Sequence, residues 1–549
     1  TTRRHGRGQT TRGTIAAAER SPTRGATSAP FGLALGAALL LGATVRLSYV
    51  VPATAPLNDG GLFYTMVEDL QRAGFALPLE TSYNAAGIPF VYPPLAFYLA
   101  GLLATTVPWS LLDLFRILPL GLSVLTIAAF FALARALWPV GSTAGWATGA
   151  FALLPMGFHW LIMGGGLTRG LGFLCALLAL RQVYFLSTRP RWQPVFLGAV
   201  FAAATVLSHP AMAWFLAYSS VVFLLAFGRR RAARWSLALA AGSLFLTAPW
   251  WVTIWLRHGV GPLLASGGTG ISLFAPLQLV TLTLSNEPFF PVLGALAILG
   301  ALACLRQQWY WLPGWVLVMA ALDARSPLAS ATVPLALLAG VGLSEALLPW
   351  LDRLQAEASL GSRPARWPSR LRALVLAWGL LLVMLNATVD KESVLVGLTP
   401  DQQTALAWVS AATPPDSTFL VVTGQLVPTR DRVAEWFPAL ARRASVLTVQ
   451  GYEWVPGDAF ARRVAAYPAA QRCALRDTTC IEEWAREAGV SFSHVFVPKG
   501  PTGAIAARGV EDDCCWALRH ALRQDAHFQT LYDGPGATVF RTRESGATP

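Results

Sequence analysis

Apolar positions come in long unbroken runs from about residue 31 to residue 389, and polar residues are confined to short joints between them. The first run, 31–52, is interrupted only by Arg46 and a few small polar residues. At about 1.5 Å per helical residue its length covers a hydrocarbon core of roughly 30 Å. Ten further runs follow at 117–137, 145–163, 167–186, 195–208, 211–227, 235–256, 289–305, 309–322, 328–350 and 371–389. The pattern predicts a polytopic α-helical membrane protein, with the first run a retained anchor. A 14-residue apolar stretch at 94–107 reaches only about 21 Å, so it reads as a re-entrant or short tilted segment. With that ambiguity the expected count is 11 to 13 spans, and odd.

After residue 389 the pattern changes. Short β-rich runs at 418–422, 445–449, 493–497 and 537–541 alternate with helical patterns at 400–411, 459–466 and 481–488, which predicts a small α/β domain. No glycine-rich phosphate loop follows these strands. The organisation expected is a disordered basic tail at 1–30, a membrane domain at 31–390 with a long first outer loop at 53–93, and an extracytoplasmic domain at 391–549.

Composition agrees: 54% of residues are apolar and 13% charged, against about 25% charged in soluble domains. Residues 391–549 hold 16 basic and 17 acidic side chains, so of the net charge of +13 the rest of the chain carries +14. There it forms short arginine clusters between apolar runs, which argues for membrane topology and against a nucleic-acid partner. If the runs alternate, Arg135, Arg189 and Arg191, Arg229–Arg231 and Arg306 fall on one side with the basic tail. The amino end is then cytoplasmic, the first loop and carboxyl domain lie outside, and the plasma membrane is the expected location. Cys473, Cys480, Cys514 and Cys515 in the polar domain have the number for two disulfides on an oxidising face, in any of three pairings.

The outer loops collect the chemistry. The first contains Leu57-Asn58-Asp59-Gly60-Gly61 and then Tyr92-Pro93-Pro94-Leu95. An acid at the membrane surface beside glycines suits a general base or a metal ligand, while the plainer reading is a cap for a helix starting at Gly61. Arg169, beside Gly164-Gly165-Gly166, and Arg325 suit an anionic group; their plainer readings are a snorkelling side chain and an ion pair with Asp323. His159, His209, Asp323 and Tyr92 are substrate-binding candidates at the same face. So is Glu287, whose first reading is a helix-terminus residue. In the tail, Glu435-Trp436-Phe437-Pro438 and Gly451-Tyr452-Glu453-Trp454 pair acids with aromatics, for which core packing is favoured over sugar stacking.

An acid just beyond the first span, an interfacial helix and a Tyr-Pro-Pro-Leu lead into the next apolar run together resemble the GT-C glycosyltransferases, in the branch of protein O-mannosyltransferases and aminoarabinose transferases. The resemblance covers the membrane domain; the tail matches only in placement. It implies transfer of a sugar from a polyprenyl-phosphate donor to a glycan, lipid or protein hydroxyl, among membrane lipids, with Asp59 as general base and Arg169 and Arg325 on the donor phosphate. A divalent metal, Mg or Mn, is the cofactor to look for, with Asp59 its ligand. Many members carry two adjacent acids, whereas Gly60 follows Asp59 here. The alternatives are a non-catalytic scaffold of the same fold, which binds a partner, and a transporter or flippase.

Overall fold

The computed structural model describes residues 31–228, 232–269, 283–323, 327–359, 368–390, 394–500 and 514–543. Seven helices among them are long and apolar enough to cross a membrane, and four shorter apolar helices accompany them. Helix Gly166–Thr188 is central: it packs against Leu111–Leu137, Trp192–Val206 and Pro210–Phe227. A second layer joins Thr143–Leu153, Val292–Arg306 and Pro327–Val341. Many large apolar side chains, Leu225 and Phe245 among them, point outward. That is the arrangement expected when lipid is the solvent.

Two expected runs differ in detail. The run at 145–163 is helical only to Leu153, because Pro155 cannot continue the hydrogen-bond ladder; a 3₁₀ turn at Pro155–Gly157 and a single turn at His159–Ile162 follow. The break leaves helix-end carbonyls open, and Arg46, fully buried in the first helix, Phe31–Val50, donates to Ala152 O at 2.8 Å. Its other bonds go to Gly42 O at 2.9 Å and Ser123 Oγ at 2.8 Å, and its guanidinium lies 4.7 Å from the Phe158 ring centre. The stretch 94–107 is a 12-residue helix, Leu95–Thr106, packed against Gly61–Arg72. It therefore belongs structurally with the first loop.

The first loop also holds a small hairpin, β1 (Glu80–Thr81) with β2 (Ile88–Pro89). The Asp69 carboxylate accepts from Thr81 Oγ1, Ser82 N and Ser82 Oγ at 2.7–2.8 Å, which ties the hairpin to the Gly61–Arg72 helix.

The tail is an α/β domain on β3 (Thr418–Val421), β4 (Ala444–Ser445), β5 (His494–Pro498), β6 (Phe528–Asp533) and β7 (Ala537–Thr542), ordered β4-β3-β5-β7-β6. β3 is parallel to β4 and β5, and β5-β7-β6 is antiparallel. The strand expected at 445–449 is only the two residues of β4, after which the chain turns away. Strand β6 and helices Arg432–Ala441 and Trp516–Gln524 were not anticipated; Pro438 lies inside the first of these helices, whose start is capped by Asp431 through Ala434 N at 2.9 Å. Of the three cysteine pairings, Cys473–Cys480 and Cys514–Cys515 are the ones formed.

Replacing Arg46 by Met should leave the Ala152 carbonyl buried and unsatisfied, at a cost of about 1–3 kcal/mol. A thermal-unfolding midpoint equal to that of the wild type in the same detergent would contradict this account of the helix break.

Candidate active site

The loop around Asp59 is threaded between the membrane helices and the tail. Gly164 N donates to Leu57 O at 2.9 Å, and Leu57 also bridges to Gly397. Asp59 accepts from Gly165 N–H through Oδ1 at 2.8 Å, at the start of helix Gly166–Thr188. That bond places the carboxylate at the positive end of the helix dipole. It does not cap the Gly61–Arg72 helix, whose N-cap is Gly60 without any side-chain cap. The glycines are needed for this approach: a Cβ on Gly165 would meet Asp59 Oδ2 at 2.6 Å.

Asp59, Arg169, Tyr92 and His209 line one cavity of about 610 Å³, shared with Trp250 and, from the tail, Glu453 and Trp454. Arg169 projects from the first turn of the central helix; its guanidinium lies 5.1 Å from the Trp160 ring centre, and its buried Nε has no hydrogen-bond partner among the described residues. Tyr92, set by Pro93-Pro94 at the head of helix Leu95–Thr106, forms an aromatic wall with Phe63 at 4.7 Å, Trp454 at 5.5 Å and His209 at 6.2 Å between ring centres. Its hydroxyl is 3.4 Å from Thr168 Oγ1.

Burial raises the proton affinity of Asp59 above the ordinary carboxylate range, against the opposing pull of Arg169 and the Gly165 N–H. Glu435 sits behind it. Burial, and then the Asp59 charge, hold the Glu435 carboxyl well above its usual value, with Glu453 adding to the effect and the Gly60 and Gly61 N–H groups opposing it. Adjacent to the main cavity is a second one of about 330 Å³, lined by Leu77, Leu95, Tyr98, Leu207 and Leu246 and sharing Trp250 with the first. Two cavities thus meet at one indole, and the larger holds the charged side chains Asp59, Arg169 and Glu453.

The other candidates lie elsewhere. His159 packs on Phe158 at 4.9 Å and Tyr49 at 6.2 Å, outside the cavity lining. Glu287 accepts from Leu293 N at 3.1 Å and Gly294 N at 2.9 Å, capping helix Val292–Arg306, and from Asn386 Nδ2 at 3.2 Å. Asp323 is buried and accepts from Tyr218 and Ser330 hydroxyls. Arg325 lies outside the described residues. Among the described residues, the one group of three acids or histidines close enough to share an ion is Glu482, Asp525 and His527 on the tail, outside the cavity lining. Glu453 and Trp454, which the sequence pattern assigns to core packing, are cavity residues.

The architecture defines a class: a polytopic membrane protein with the GT-C glycosyltransferase fold. Among solved structures, ArnT from Cupriavidus metallidurans bound to undecaprenyl phosphate superposes with a TM-score of 0.51 at 13% identity, over 94% of this chain and 98% of that one. The arabinofuranosyltransferase AftD from Mycobacteria gives 0.52 at 19% identity, over 94% of this chain and 42% of its own length. The Archaeoglobus fulgidus oligosaccharyltransferase in its apo form gives 0.50 at 15%, over 84% and 69%. No protein-family model and no curated protein matches the sequence.

Gly165→Ala should destabilise the fold by about 1–3 kcal/mol through overpacking against Asp59. Gly149→Ala, where a Cβ meets nothing within 4 Å, serves as the control and should not lower the unfolding midpoint. Equal midpoints for the two variants would refute the close approach.

Proposed function

We propose that the protein is an inverting membrane glycosyltransferase that moves a sugar from a polyprenyl-phosphate donor to an acceptor hydroxyl on the extracytoplasmic face. The observation that carries this reading is the convergence of Asp59 and Arg169, distant in sequence, on one cavity that abuts an apolar groove. The groove suits an isoprenoid chain, and the cavity, within the range of about 300–1,000 Å³ usual for small-molecule sites, suits the sugar and phosphate. The undecaprenyl phosphate bound by ArnT is a donor carrier of that class.

In this reaction Asp59 accepts the proton of the acceptor hydroxyl as its oxygen bonds to the anomeric carbon. The bond from that carbon to the phosphate oxygen breaks, and its electrons leave with the lipid phosphate. Arg169 neutralises the charge gathering on that phosphate, and its unpartnered Nε–H is a donor for it. A carboxylate with raised proton affinity is a better base than an ordinary one. Tyr92, His209 and Trp454 shape the wall against which the sugar lies. No step is routed through a metal. The two disulfides in the tail support an oxidising, extracytoplasmic side for the cavity, with the amino end cytoplasmic.

Asp59→Asn should lower kcat by about 10²- to 10⁴-fold in nanodiscs supplied with a defined polyprenyl donor. A loss below tenfold would remove Asp59 as the base. Arg169→Ala should weaken donor binding as well as turnover. Because the base form of Asp59 exists only above its raised pKa, kcat/KM should fall as pH drops through a value above the ordinary ~3.9 of aspartate. An acid limb at or below that value would contradict the assignment.

A further inference from the structure

The tail domain reaches the membrane domain at the peptide units that flank Asp59. On one side, Trp436 Nε1 donates to Asn58 O at 3.0 Å; on the other, Gly60 N–H donates to Glu435 Oε1 at 2.7 Å. Asn58 is held a second and third time, by its own N–H on Val396 O at 3.0 Å and its Nδ2 on Thr429 O at 3.0 Å. Gly60 is the N-cap of helix Gly61–Arg72 and has no side chain with which to cap it. Glu435 comes so close that a Cβ on Gly61 would meet Glu435 O at 2.6 Å. Glu435 is itself fastened: Tyr83 Oη donates to its carbonyl at 2.6 Å and Gln450 Nε2 to Oε2 at 3.3 Å.

We propose that Glu435 is the positioning residue for Asp59: it grips the following peptide through the Gly60 N–H and supplies, from another domain, the cap that the first-loop helix lacks. The neighbouring Trp436 closes the grip from the preceding peptide. A charged cap is an unusual choice, because a neutral amide would accept the same bond without the penalty of burying a carboxylate. What the carboxyl adds is a second titratable group beside Asp59. The charged and titratable groups facing Asp59 are Arg169 from the central helix and Glu435 from the tail; those facing Glu435 are Asp59, Glu453 and Tyr83. Burial raises both acids, Arg169 opposes it at Asp59, and the Asp59 charge raises Glu435 further, so the two acids titrate as a pair. This second consequence rests on Asp59 serving as the base; the grip does not.

The experiment uses the full chain in nanodiscs and two readouts. In hydrogen–deuterium exchange, Glu435→Ala should speed exchange of the segment 58–64 at least tenfold while leaving helix Gly166–Thr188 protected. Glu435→Gln should stay near wild type, since the amide oxygen still accepts from Gly60 and the Gln450 amide can turn to match. Unchanged protection in Glu435→Ala overturns the grip, whether or not the chain transfers sugar. Should Glu435→Ala fail to fold, Trp436→Phe removes the Nε1–H bond to Asn58 and leaves a smaller aromatic ring in its place, and the same acceleration of segment 58–64, or its absence, decides the matter. In the second readout, Glu435→Ala should lower kcat at least tenfold with the donor KM changed less than threefold. Glu435→Gln should move the acid limb of kcat/KM to lower pH, because Asp59 then ionises without a second acid titrating beside it. A limb that stays in place or moves upward overturns the coupling of the two acids. Absence of any transfer by the wild type would instead overturn the proposed reaction.

Discussion

The structure turns on the seat of one carboxylate. Asp59 leaves the first span on an irregular loop, and such a loop holds a geometry only if its peptide groups are bonded from outside. Here the bonding comes from two directions. The Gly164-Gly165-Gly166 turn presents an N–H to the carboxylate and a bare backbone to the loop, and the tail domain holds the peptides before and after it. Neither domain completes the seat by itself. The tail domain therefore supplies part of the frame on which the candidate chemistry depends.

The central helix organises the rest of the site. Its amino end offers the N–H for Asp59, Thr168 near the Tyr92 hydroxyl, and Arg169 in the cavity, all within its first turn. Rigid elements hold reacting groups more reproducibly than loops. The loop that cannot be a helix is pinned to one that is. Trp250 lines both the cavity that holds Asp59, Arg169 and Glu453 and the apolar groove beside it, so a ligand with a charged head and a hydrocarbon tail finds both at one side chain.

Much of this was legible along the chain. Apolar runs located the membrane helices, because lipid exposure demands long uninterrupted stretches and leaves little room for competing patterns. Asp59 and Arg169 stood out because each adjoins glycines at the outer boundary, and the structure brings them together with Tyr92 and His209. Glu287 and His159, at the same boundary by sequence, sit apart: one caps a helix and the other packs among aromatics. Position along a membrane normal is a one-dimensional quantity and cannot distinguish two residues at equal depth on different sides of a bundle. Glu435 and Glu453 were harder still, since an acid in an aromatic run has the same letters whether it closes a core or faces a cavity.

The sequence by itself determined that the protein is polytopic, that its carboxyl domain is α/β, and that an acid follows the first span. These are properties of local periodicity and of the solvent each segment must meet. Only the tertiary structure decided that Asp59 bonds to Gly165 and not to its own following helix, that Glu435 supplies the missing cap, and which cysteines pair. The first two are contacts between residues 106 and 375 positions apart, which depend on how domains pack and which no local pattern encodes; the cysteines pair locally, 7 and 1 positions apart, but the letters fit three pairings equally and only the fold selects one.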